Sequence, residues 1–127
     1  MHEAKRPLRV LMVDDDTSQL DMTSRMLRLE GFEVKTVSES LGVSVIAREF
    51  APDVVLLDVE IPALSGDRLL SVLRENLRGA STALVLFSAC DVDTLRRLAT
   101  DVGADAWIRK GLEPEELAAR LRRLCLQ

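Results

Sequence analysis

Three short runs constrain this chain more than anything else in it: Arg9-Val10-Leu11-Met12-Val13, Asp53-Val54-Val55-Leu56-Leu57 and Ala83-Leu84-Val85-Leu86-Phe87. Within each, apolar residues follow one another with no polar residue at alternate positions. A strand of that kind has to be covered on both faces, the condition of a parallel sheet between two layers of helices. Two further β-rich segments, Glu33–Val37 and Asp105–Ile108, bring the set to five. Glu33–Val37 alternates, which marks it as an edge strand.

The intervening segments carry apolar residues at helical spacing. Leu69, Leu70, Leu73 and Leu77 form one stripe, Leu95, Leu98, Ala99 and Val102 a second, and Leu117, Leu121 and Leu124 a third. Gly31 and Gly103 stand where helix ends want a left-handed residue, Pro52 stops the second helix, and Pro114 suits the first turn of the last. Five strands alternating with five helices make a doubly wound α/β sheet, and the number of strands favours the flavodoxin-like order 2-1-3-4-5. Ligands of such sheets bind beyond the carboxyl ends of the strands, at the switch point between the first and third.

Composition narrows the chemistry. The 127 residues are one domain's length, with a core expected from about residue 8 to residue 125 and no output domain in view. A formal net charge of −4 argues against direct nucleic-acid binding through general positive charge. No apolar run reaches the length of a membrane span, and the start MHEAKRPLR lacks the apolar stretch of a signal peptide. Cys90 and Cys125 form no CxxC pair and read as free thiols in a reducing cytoplasm. With His2 as the single histidine, a Cys/His zinc site and a histidine base both drop out. What remains is carboxylate, hydroxyl and lysine chemistry.

Those groups gather where the strands end. Asp14, Asp15 and Asp16 follow the first strand, Asp58 the third, Ser88 the fourth, and Arg109 and Lys110 the fifth. Asp16 or Thr17 is expected to cap the first helix, leaving Asp14 and Asp15 to meet Asp58. Two carboxylates about 5 Å apart repel by roughly 3 kcal/mol at an effective dielectric of ~20, so the cluster either raises its own pKa values or recruits a cation. Hard oxygen ligands without nitrogen or sulfur select Mg²⁺, with Mn²⁺ as the alternative. A divalent cation beside a lysine, a hydroxyl and a carboxylate suits phosphoryl transfer, with the carboxylate as an in-line nucleophile.

VLMVDDD at 10–16, LLDVEIPALSG at 56–66, LVLFSA at 84–89 and GADAWIRK at 103–110 together resemble the receiver domain of bacterial response regulators, over almost the whole chain. The resemblance implies that Asp58 is the phosphoacceptor. It gives the metal to Asp15 directly, to Asp14 through water, to Asp58 and to the backbone carbonyl of Glu60. Ser88 then matches the switch hydroxyl, Lys110 the phosphate-binding lysine and Trp107 the aromatic switch residue, while Pro62 and Gly66 match the loop after the acceptor. The implied partners are a histidine kinase or phosphotransfer protein and a downstream protein or second receiver on the face of helix 4, strand 5 and helix 5. Arg96, Arg97, Arg120, Arg122 and Arg123 fall on that pair of helices.

The chain departs from the family at Lys110-Gly111, where Lys-Pro with a cis bond is usual. A cis bond before a non-proline residue costs ~2.5–4 kcal/mol, so either a trans bond with a shifted loop or a strained cis bond is expected. Glu60 is a candidate to tune the lifetime of the phosphorylated state, and Ser65 replaces an acid common before the loop glycine. Two rivals stand beside the signalling switch. One is a phosphorylation-independent binding module with the same fold. The other, a weaker alternative, is a phosphohydrolase of the haloacid-dehalogenase type, suggested by Asp58-Val59-Glu60, although that family places its nucleophile after the first strand and usually needs a larger chain.

Overall fold

A computed structural model describes residues 6–39, 42–58, 66–77 and 81–125 of the chain. Along it run β1 (Arg9–Val13), α1 (Thr17–Leu29), β2 (Glu33–Val37), α2 (Val43–Phe50), β3 (Val54–Leu57), α3 (Gly66–Asn76), β4 (Ala83–Ser88), α4 (Val92–Val102), β5 (Ala106–Arg109) and α5 (Pro114–Cys125). The strands form one parallel sheet in the order β2-β1-β3-β4-β5, as the alternation of elements predicts, and β2 lies at an edge.

Each run of apolar residues divides between two layers because successive side chains of a strand point to opposite faces. Leu11, Val13, Val55, Leu57, Leu84 and Leu86 face α2, α3 and α4, where they meet Val43, Ala47, Leu69, Leu73, Leu95 and Ala99. Val10, Met12, Val54, Leu56, Val85, Phe87 and Ile108 face α1 and α5, packing on Leu20, Leu27, Leu117 and Leu121. In β1 and β3 every residue but Arg9 is buried, which is why neither strand alternates in sequence.

The strand limits move by one residue from the sequence reading, for reasons visible in the side chains. Asp53 precedes β3 because its carboxylate is engaged: Oδ2 accepts the Arg9 backbone N–H at 2.8 Å, and Arg6 donates to both oxygens at 3.0 and 3.1 Å. Asp105 likewise precedes β5, with Oδ2 accepting the Leu84 N–H at 2.8 Å. The caps follow the sequence at Asp16, whose side chain accepts from Gln19 N at 3.1 Å, and at Gly103. At the end of α2 the left-handed residue is Ala51, immediately before Pro52.

Two arginines tie helices together at their carboxyl ends, where a cation meets the negative end of the helix dipole. Arg74 of α3 donates to the Gly103 carbonyl closing α4 and pairs with Asp105. Arg122 of α5 donates to the Glu30 carbonyl closing α1 and lies 4.8 Å from the centre of the Phe32 ring. Arg122 therefore packs toward α1 instead of joining an α4–α5 face.

Partial burial alone pushes the Asp53 carboxyl up, but the Arg6 guanidinium and the Arg9 N–H outweigh it and hold its pKa below the usual range. A carboxylate with a lowered folded pKa adds stability above its unfolded pKa of about 3.9 and loses it as pH falls through the folded value. Asp53→Asn should therefore lower the urea midpoint at pH 7, and the gap to the parent should close below about pH 4. A gap that persists unchanged at pH 3 would refute the assignment.

Candidate functional site

The site is built where polar residues first interrupt the buried strands. Val13 pairs with Leu57 in register, and the ladder runs one step further, the Asp58 N–H donating to the Val13 carbonyl at 2.9 Å. Asp14 continues β1 on its other side, its N–H donating to the Val37 carbonyl at 3.1 Å. Both acids are thus fixed by backbone at the carboxyl end of neighbouring strands, and both are buried, at 3% and 7% exposure. Asp15 is exposed beside them, and one carboxylate oxygen from each of Asp14, Asp15 and Asp58 falls within 4.8 Å of the others.

Lys110 reaches this cluster from beyond the end of the edge strand β5. Its ammonium donates to Asp14 Oδ2 at 2.6 Å, with both side chains largely shielded from solvent. Its own N–H donates to the Ser88 carbonyl at 2.8 Å, and the ammonium lies 5.6 Å from the centre of the Phe87 ring. The other oxygen of Asp14 accepts the Asp16 N–H at 3.0 Å, so Asp14 is held at both oxygens by protein donors. Ser88 is fully buried, its Oγ accepting the Cys90 N–H at 3.3 Å.

The alternation of side chains separates these groups into two sets. Asp14, Asp58 and Lys110 continue the face of Met12, Leu56 and Ile108, toward α1 and α5. Ser88 continues the face of Leu84 and Leu86, toward α3 and α4, and half-buried Trp107 packs on that same side, in register with Leu86. The residues read from the sequence as acids and lysine therefore come together, while the two read as switch residues share the opposite face. Trp107 also borders a cavity of about 400 Å³ between β5 and α5, with Glu116, Arg120 and Arg123.

An octahedral Mg²⁺ with oxygens at ~2.1 Å needs neighbouring ligands about 3 Å apart and opposed ones about 4.2 Å apart. Carboxylate oxygens gathered within 4.8 Å fit that demand after a small closure, and the set is all hard oxygen. Glu60, Pro62 and Ser65, read as a carbonyl ligand or as parts of the adjoining loop, lie outside the described residues, while Gly66 opens α3. Between the two forms considered for Lys110-Gly111 the peptide bond is trans, and Gly111 has φ of +108°.

Sequence reasoning missed two contributors, neither with a local signal: Phe87 lies beneath the lysine, and the Asp16 N–H steadies Asp14. Gly111, singled out as glycine in place of proline, makes the turn after Lys110.

Residues 10–122 match the response regulator receiver domain family. Over 114 residues the chain is 36% identical to the DNA-binding response regulator MtrA of Mycobacterium tuberculosis, covering 90% of this chain and 49% of that protein. The probable transcriptional regulatory protein TcrX of the same organism is 35% identical over 119 residues, 94% of this chain and 50% of its own length. The chain spans about half the length of the curated relatives it matches. Among solved structures, the chemotaxis response regulator CheY4 of Vibrio cholerae superimposes with a TM-score of 0.79 at 26% identity, over 93% of this chain and 98% of that one. A CheY-like receiver domain protein from Methanospirillum hungatei gives 0.78 at 28% identity, over 94% of each chain.

Fold and comparisons agree on a doubly wound domain of a family of signalling switches. The chain belongs to the response regulator receiver domain family. Its matched region is a receiver of two-component signalling.

The crowding of acids has a consequence for stability. Removing exposed Asp15 relieves repulsion, whereas removing Asp14 strands a largely shielded ammonium. In chelator-treated buffer, Asp15→Asn should raise the urea midpoint and Asp14→Asn should lower stability by about 3 kcal/mol, the lower end for a broken buried pair. Shifts of the same sign would show that the Lys110 pair does not dominate at Asp14.

Proposed function

We propose that this domain is a phosphorylation-dependent switch whose acceptor is Asp58, loaded by a histidine kinase or phosphotransfer protein. The observation that carries the reading is the meeting of Asp14, Asp15 and Asp58 with Lys110 at the ends of adjacent parallel strands. Family membership supports the same chemistry.

In this reading a carboxylate oxygen of Asp58 attacks the phosphorus of a phosphohistidine in line. The P–N bond breaks, its electron pair leaving with the imidazole, and an O–P bond makes the aspartyl phosphate. Mg²⁺, or Mn²⁺ in its place, supplies charge neutralisation for the transferring oxygens when bound. Asp15 and Asp58 would hold it directly, with the Glu60 carbonyl, and Asp14 through water, because both Asp14 oxygens already accept protein donors. Lys110 moves from Asp14 to a phosphoryl oxygen, and Ser88 turns its hydroxyl toward another. Trp107, on the same side of the sheet as Ser88, follows that turn and alters the surface of α4, β5 and α5 offered to a downstream protein or a second receiver.

On this surface Arg96 is paired with Asp93 at 2.6 Å and Arg120 with Glu116 at 3.7 Å. DNA binding, which the name of MtrA attaches to a protein about twice as long, is not assigned to this domain.

Incubation with Mg²⁺ and acetyl phosphate, read by intact mass, should add one phosphoryl group. The gain should vanish in Asp58→Asn and after chelation. If neither acetyl phosphate nor a phosphorylated histidine donor loads the parent protein, the phosphorylation-independent reading takes its place.

A further inference from the structure

Gly111 stands between two anchored neighbours. On one side Lys110 is held by its N–H on the Ser88 carbonyl and by its ammonium on Asp14, 96 positions away in sequence. On the other, Leu112 packs into the α1/α5 layer, and the Glu113 carbonyl accepts the N–H groups of Glu116 and Leu117 at 3.0 Å each, opening α5. The single residue joining these fixed points has to reverse the chain, and it does so at φ +108° across a trans bond. L-residues rarely adopt that conformation, and proline, locked near −65°, is barred from it. The position is nevertheless spacious: a Cβ built there meets no atom within 4 Å. Glycine is required by backbone geometry alone.

We propose that Gly111 is a positioning residue, whose left-handed turn aims the Lys110 ammonium at Asp14 and thereby sets how strongly lysine and divalent cation compete for the acidic rim. The inference rests on the phosphoryl-switch reading for its effect on loading, but its effect on cation binding is independent of that reading. A side chain at 111 disfavours the turn. The strain is relieved by swinging Lys110 away, since Leu112 and the start of α5 are held by packing and by helix hydrogen bonds. An ammonium withdrawn from Asp14 no longer repels an incoming cation, and it is no longer poised for a phosphoryl oxygen.

The two readouts therefore move in opposite directions. Gly111→Ala should bind Mg²⁺ more tightly in calorimetric titration of the unphosphorylated protein, as Lys110→Ala should, while its loading by acetyl phosphate slows. The expected change is up to about thirtyfold, the left-handed penalty of ~1–2 kcal/mol converted at 1.36 kcal/mol per tenfold. Gly111→Asn, larger than alanine but more tolerant of positive φ, should fall between glycine and alanine in both readouts. A merely structural role would weaken both, and a role of side-chain volume would make asparagine the worse substitution. An unchanged Mg²⁺ constant in either Gly111→Ala or Lys110→Ala, or asparagine ranking below alanine, overturns the proposal. If the parent protein takes no phosphoryl group, the switch reading fails while the Mg²⁺ series still decides the role of Gly111.

Discussion

One ion pair fixes the geometry of the rim: the ammonium of Lys110, from beyond the last strand, on the carboxylate of Asp14, beyond the first. At 2.6 Å it spans two intervening strands, β3 and β4, across the rim of a sheet in which every strand runs the same way. The doubly wound order brings three acids together, and the pair keeps the most buried of them tolerable. A carboxylate at 3% exposure needs hydrogen bonds to each oxygen, and Asp14 has them.

The two ends of the sheet are treated differently. At the amino end Asp53 is matched by a bidentate arginine and a backbone N–H, an arrangement that closes the sheet and leaves little charge uncompensated. At the carboxyl end three carboxylates crowd together, and the candidate site lies there. Stability is supplied from below the rim by apolar layers on both faces, and laterally by Arg74 and Arg122 on the ends of their neighbouring helices. The division lets the rim remain electrostatically strained without loosening the scaffold.

Much of this was legible in the chain. Unbroken runs such as Val54–Leu57 declare burial on both faces, the alternating β2 declares an edge, and Asp16 announces a helix start. The acids and Lys110 were legible because strand ends are where a parallel sheet accepts polar residues. Pairings over long separations were not, since no local period records that Arg122 turns to Phe32 and Glu30, away from the other arginines of its helix, or that Lys110 selects Asp14. One-residue shifts of β3 and β5 had the same origin, because Asp53 and Asp105 answer to donors on other strands.

The sheet is a partition. It separates two oily compartments, one beneath α1 and α5 and one beneath α2, α3 and α4, and packing on one side has no direct contact with packing on the other. At the carboxyl rim the partition stops, with Asp14, Asp58 and Lys110 leaning to one side and Ser88 to the other. A small anion gripped from both sides there would act as a staple over the top of a wall, so that news delivered to one compartment is felt in the next.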